Sequence, residues 1–186
     1  MVPASTPSAP GRPRSDLNAT VFAATLRTVH ELGYADATMD RIAAAAGVAK
    51  TTIYRRWPSK GALITDCVVD AFGPEAPPDG ATREDIVSWL VRVIVAKVGE
   101  PGVGAAFAGV FVDAMSDPGL RDILETRLQE PGRLVLQELL GQPTDRVLLL
   151  VDVIVGTVLH RMGMTGAPMA EADVAALTEM VLHLLR

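Results

Sequence analysis

Residues 46–60 read AGVAKTTIYRRWPSK. A turn glycine, Gly47, precedes two threonines, a tyrosine, two arginines and a tryptophan, with a lysine near each end. The chain around this stretch is acidic, with a formal net charge of -5 over 186 residues. Upstream, MDRIAAAA (39–46) has the composition of a short helix, with Thr38 as its N-cap and Asp40 in the favourable first turn. Gly47 suits a turn that needs positive φ. A second short helix, about 49–57, is stopped by Pro58, and Ser59 is placed to cap a third. Helix, glycine turn, helix is the pattern of a helix-turn-helix DNA reader, whose second helix enters the major groove.

The wheel of the second helix tests that pattern. At about 100° per residue, Ala49, Ile53 and Trp57 fall inward, where Ile42, Ala43, Ala46 and Val48 can meet them. Thr51, Thr52, Tyr54 and Arg55 fall outward, flanked by Arg56. Arg pairs with guanine O6/N7, and Thr bonds a base edge or touches a thymine methyl. Tyr54 can donate to a phosphate, and Lys60 can meet one as a point charge. Thr38 adds its hydroxyl and the free N–H groups of a helix N-terminus. The alternative is a solvated basic face.

Composition sets the frame. Hydrophobic residues make up 49% and aromatics only 4%, so Ala and aliphatic side chains must fill the core. Few β-branched runs occur, and the class is all-α. One cysteine, Cys67, excludes an internal disulfide, and the three histidines lack metal-ligand spacing. No metal, no cofactor and no enzyme activity are expected: no nucleophile–base pair or phosphate-cradling glycine loop is evident. The N-terminus lacks the apolar core of a secretory signal. The thirteen-residue apolar run 147–159 is too short for a membrane span of about 20 residues. A cytoplasmic protein with no membrane partner is therefore expected.

Charge is uneven. Residues 1–72 hold 8 Lys+Arg against 6 Asp+Glu, or +2; residues 73–186 hold 9 against 16, or -7. The domain reading is a flexible basic arm at 1–15 and a helix-turn-helix domain with its connecting helix at 16–72. A linker follows at 73–81 (GPEAPPDGA), then a helical domain at 82–186. A first helix from about residue 15 turns Val21, Phe22, Leu26, Val29 and Leu32 to one face and stops at Gly33. Thr82 and Asp85 resemble a capping box. Later helices are expected near 83–98, 103–115, 119–140, 144–163 and 171–185, with Pro131-Gly132 interrupting the third.

The stretch ATMDRIAAAAGVAKTTIYRRWPSKGALI (37–64) resembles the DNA-binding domain of the TetR family of bacterial transcriptional regulators. Thr38, Ile42-Ala43, Ala46-Gly47-Val48, Thr52-Ile53-Tyr54, Trp57-Pro58-Ser59-Lys60 and Leu63 carry the resemblance; Trp57 stands where Phe is commoner. The resemblance implies a homodimer formed through the last two helices. It also implies a near-palindromic double-stranded DNA operator and a small-molecule effector that weakens operator binding. It assigns Lys50, Thr51, Thr52, Tyr54 and Arg55 to the recognition helix, Thr38, Arg41 and Lys60 to backbone contacts, and Arg12 and Arg14 to a basic arm for the minor groove.

For the second domain, Trp89, Val93, Phe107, Phe111, Met115 and Met162 are the candidate apolar lining of an effector pocket. For each, simple core packing is the alternative. Asp152 and His160 stand in an apolar run, where a buried charge needs a partner. They would hold a polar ligand group or pair across a dimer. The function expected is a sequence-specific regulator, in the first instance a repressor released by its effector. A constitutive DNA-binding regulator without effector, or a helical small-molecule carrier, are the alternatives.

Overall fold

The computed structural model describes residues 14–73 and 75–186, and among these every regular element is a helix. Arg12, and the side chain of Arg14, lie outside the described residues.

Helix α1 (Arg14–Asp36) buries Val21, Phe22 and Val29 as expected. Thr25 and Thr28 are buried beside them, and each hydroxyl donates to the carbonyl four residues back, so neither polar group is orphaned. Leu32 departs from expectation: it is 46% exposed. Gly33, at φ 79° and ψ 162°, interrupts the helix where a stop was expected, and a further helical turn runs on to Asp36 beyond the kink.

Helices α2 (Met39–Ala46) and α3 (Lys50–Arg56) flank the turn at Gly47, which takes the left-handed conformation (φ 66°). Thr38 caps α2, its hydroxyl accepting from the Arg41 N–H at 3.3 Å. Ser59 caps α4 (Lys60–Phe72) through the Ala62 N–H at 3.1 Å. Phe22, Ile42, Ala43, Ile53, Trp57, Leu63 and Cys67 form one core here, with Ala46 and Val48 packed at its edge. Ala49, expected inward, is the exposed N-cap of α3: the helix starts only after it.

Helix α5 (Arg83–Gly99) opens on a complete capping box between Thr82 and Asp85. α6 (Val103–Ser116) leaves it at 92°. Then α7 (Pro118–Leu124), a π turn (Glu125–Gln129) and α8 (Glu130–Leu140) run on without a break in the chain's helical course. The interruption expected at Pro131-Gly132 thus lies a turn earlier. Pro131 has no N–H to donate and crowds the carbonyl four residues back, and the widened π turn ahead of it takes up that misfit.

Helices α9 (Thr144–Thr165) and α10 (Glu171–Leu184) complete the fold, joined by Arg161 donating to Asp173 at 2.9 Å. α9 spans 22 residues, longer than its thirteen-residue apolar run, and has the length and composition that a core helix shares with a membrane span. Val147, Leu150, Ile154 and Val158 are its buried stripe within the second, larger core. Its opposite stripe, Leu149, Asp152, Gly156, His160 and Met164, is exposed in the single chain.

Candidate nucleic-acid interface and internal cavity

The two short helices of the turn motif hold each other at fixed distance because their facing residues are small or fully buried. Ile42 and Ile53 are essentially inaccessible, and Ala43 lets the backbones approach. α3 therefore presents one defined face. Lys50, Thr51, Tyr54 and Arg55 are exposed on it, and Thr52 is half-buried. Tyr54 stands 48% exposed, an aromatic side chain in water on a basic helix. Arg56 flanks the face, its guanidinium 5.6 Å from the Trp57 ring centre.

Three of the candidate contacts, Lys50 of the recognition helix and Arg41 and Lys60 of the backbone set, are less free. Lys50 is ion-paired with Asp40, which tethers α3 to α2. Arg41 donates to the Asp36 carbonyl at 2.9 Å and lies 3.6 Å from its carboxylate. Lys60 is half-buried: it donates to the Tyr34 carbonyl at 3.0 Å, and its ammonium sits 3.9 Å over the Tyr34 ring. It is thus held at the seam with α1 and does not stand out as a free point charge. Exposed pairs such as Lys50–Asp40 contribute little to stability and exchange readily for a phosphate partner.

Trp57 ends α3 and is 3% exposed. Its indole N–H donates to Asp66 Oδ2 of α4 at 2.8 Å. The other oxygen, Asp66 Oδ1, accepts from Arg127 at 2.6 Å. A separate seam joins α1 to α6. There the Tyr34 hydroxyl donates to Asp113 Oδ2 at 2.5 Å, and the ring lies directly on Gly109. Burial, and then Asp113, push the Tyr34 phenol well above its usual pKa. Burial likewise raises the thiol of Cys67.

A cavity of about 690 Å³ opens between α4, α5, α6, the α7–α8 segment and α9. Phe107, Phe111, Met115 and Asp152 line it, as expected. Phe72 of α4 joins them, with ring centres 5.7 Å from Phe107, which is itself 4.5 Å from Phe111. Four expected residues are absent from the wall. Trp89 and Val93 are half-buried elsewhere, because α5 turns Leu90 and Ile94, one position on, toward the cavity. Met162 packs into the larger core, its Cε close to Gly104. His160 is exposed on the outer stripe of α9. Neither it nor Asp152 is buried in the single chain, so the expected buried charges needing partners are not found there. The wall that the sequence missed comes from α7 to α8: Arg121, Leu124, Glu125, Arg127, Leu128 and Arg133. The Pro131-Gly132 interruption was its only signal.

Two family models match. Residues 21–67 match the bacterial regulatory proteins of the tetR family, and residues 76–181 match the tetracyclin repressor-like C-terminal domain. An HTH-type transcriptional regulator of Mycobacterium tuberculosis is 29% identical over 179 residues, covering 91% of this chain and 88% of that protein. The DNA-binding transcriptional repressor TetR of Mycobacteroides abscessus is 29% identical over 180 residues, covering 90% and 93%. A crystal structure of a TetR family transcription regulator superposes with a TM-score of 0.64 at 28% identity, over 91% of this chain and 97% of that one. The multidrug binding protein EbrR, solved with imidazole, superposes with a TM-score of 0.68 at 21% identity over 98% of both chains, a likeness of fold. EbrR has also been solved with ethidium. The second family match alone covers more than half of the sequence, and the chain belongs to the TetR family of HTH-type, DNA-binding transcriptional regulators, a family of non-enzymes.

Proposed function

We propose that the protein is a homodimeric repressor, acting in the bacterial cytoplasm, that leaves its operator when a small apolar molecule enters the cavity. Lys50, Thr51, Thr52, Tyr54 and Arg55 read base edges and adjacent phosphates, while Thr38, Arg41 and Lys60 hold the backbone, helped by Arg12 and Arg14 of the N-terminal arm. The domains act as proposed from the sequence: the reading head at 16–72, the linker at 73–81 and the effector and dimer unit at 82–186. The dimer is supported by the apolar residues that α9 and α10 leave exposed, among them Leu149, Met164 and Met180. A two-fold dimer sets its recognition helices about 34–36 Å apart on a near-palindromic site.

The observation that carries the effector reading is the cavity. A constitutive regulator needs a filled core, whereas here aromatic rings face about 690 Å³ of open space. Two carboxylates on its wall, Glu125 and Asp152, have no cation within ion-pair distance among the described residues, against one such arginine, Arg121. Aromatic faces with carboxylates favour a lipophilic cation. The multidrug binding protein EbrR, solved with the cation ethidium, has a similar fold.

The experiment selects tight duplexes from a random pool, then titrates tetraphenylphosphonium and tetraphenylborate, ions of one shape and opposite charge. Release by the cation at lower concentration supports the reading. Preferential release by the borate overturns the charge assignment. Binding of the cation with unchanged operator affinity overturns the effector role, since a ligand shifts an equilibrium only by its differential affinity for the two states.

A further inference from the structure

One side chain belongs both to the cavity wall and to the support of the recognition helix. Arg127 sits on the π turn and lines the cavity. It donates to one oxygen of Asp66, whose other oxygen accepts from Trp57 at the end of α3. Three side chains thus run in unbroken hydrogen-bonded contact from cavity to reading head. We infer that Arg127, Asp66 and Trp57 are the route by which occupancy of the cavity changes DNA affinity, an inference that rests on the effector reading above.

The recognition helix depends on that end being held. α3 has seven residues and no side-chain cap at its N-terminus. A helix so short does not persist by itself. Its anchors are Ile53 and Trp57, both buried. The Trp57 ring packs 5.6 Å from Phe22, and its indole N–H needs an acceptor once buried. Asp66 supplies it. A carboxylate with a different donor on each oxygen has one orientation. Without Arg127 it still accepts from Trp57, but it can turn toward water, and the end of α3 is held less firmly. Recognition must then include ordering α3 on the DNA.

The other end of the route lies where the wall yields most easily. The π turn is the irregular segment of the α7–α8 rod, and Pro131 just beyond it offers no N–H to lock the register. A ligand seated against this turn acts on Arg127 directly. The Tyr34–Asp113 seam, by contrast, lies outside the cavity wall and ties α1 to α6 whether or not the cavity is filled. It serves as the pivot.

The test uses the full chain with 15N-labelled tryptophan. Trp57 and Trp89 are its two tryptophans, and W89F assigns their indole signals. R127M should move the Trp57 signal and speed its hydrogen exchange about tenfold or more, with Trp89 unmoved. On the selected operator, R127M should weaken binding about fivefold or more in the native background and less than about twofold in W57F, where the route is already cut. D66N, nearly isosteric, should reproduce both effects, and it decides the matter should R127M fail to fold. An unmoved Trp57 signal, or losses from R127M and W57F that multiply independently, would overturn the inference. These measurements need no effector. If no small molecule releases the protein from DNA, the effector reading fails separately, and the Trp57 signal still decides whether wall and helix are connected.

Discussion

Gly109→Ala is the most informative single substitution at the seam between α1 and α6. A Cβ on Gly109 would stand 2.1 Å from Cγ of Tyr34 and 2.2 and 2.5 Å from its two Cδ atoms. Contact distances between carbon atoms are about 3.5–4.0 Å, so the ring must retreat by more than about 1 Å. It cannot retreat alone. Its hydroxyl is bonded to Asp113, its face carries the Lys60 ammonium, and its carbonyl accepts from the same lysine. Overpacking of this kind costs about 1–3 kcal/mol, and a displaced hydrogen bond to a charged group about 1.5–3 more. Against this stands a gain of about 0.8–1.0 kcal/mol from Gly to Ala in a helix interior. The net is a loss of about 1.5–5 kcal/mol in the native background. With Tyr34→Ala already in place the ring and its hydrogen bond are gone and only a Cβ remains close, so the same substitution should cost at least about 1.5 kcal/mol less. The loss should therefore shrink between backgrounds. Urea unfolding at one fixed protein concentration measures both steps, since association shifts apparent stability. A neutral Gly109→Ala in the native background, or an undiminished loss beside Tyr34→Ala, would refute the reasoning.

Other expectations follow from the same geometry. Arg55→Ala should cost about 1–3 kcal/mol at one base position of the operator and leave random DNA nearly unaffected; equal losses on both, in a filter or anisotropy titration, would make Arg55 a phosphate contact. Lys50→Ala should weaken all duplexes alike and flatten the plot of log affinity against log salt by about 0.9, one phosphate's share. Burial raises the Cys67 thiol above its unfolded value, so the folded state keeps a proton that the unfolded chain gives up. Stability from this source is whole below about pH 8.5 and declines as pH rises beyond it. Urea midpoints at pH 8 and 10 should fall further apart in the native protein than in Cys67→Ala, and iodoacetamide should label Cys67 only under unfolding conditions.

What the sequence disclosed, and what it hid, divides by range of interaction. The turn at Gly47, the caps Thr38 and Ser59, the Thr82–Asp85 box and the outward face of α3 are all local, set by residues within a turn or two of each other. Those were legible. The cavity wall was not, because its residues meet only through the tertiary packing. On α5 the difference between Trp89 and Leu90 is one position, or about 100° of rotation, which periodicity does not resolve where apolar residues stand side by side at 86–87, 89–91 and 93–96. On the α7–α8 rod the π turn inserts an extra residue into the ladder, and a wheel drawn at 3.6 residues per turn then loses its phase. Arg127 was invisible for that reason. The exposed stripe of α9 was hidden differently: its apolar character was plain, but which side of it the single chain covers depends on α5, α6, α8 and α10 together.

The two cores explain why α4 is the element through which reading head and cavity must communicate. Leu63 and Cys67 belong to the smaller core; Ile64 and Val68, one position on in each case, belong to the larger. The two pairs lie about 100° apart on one thirteen-residue helix. Rotating α4 about its axis would withdraw side chains from both cores at once, and interiors this well packed resist that. Sliding or tilting keeps both faces covered over small distances. Phe72, at the C-terminal end of α4, stands in the cavity wall, and Asp66, midway, carries Trp57. A ligand pressing on Phe72 and one drawing away Arg127 therefore act on the same rod from two points. In the rod reading, Phe72→Ala should loosen ligand coupling without moving the Trp57 indole signal, whereas Asp66→Asn should move both. If Phe72→Ala also displaced Trp57, the rod and the hydrogen-bonded route would be one mechanism and not two.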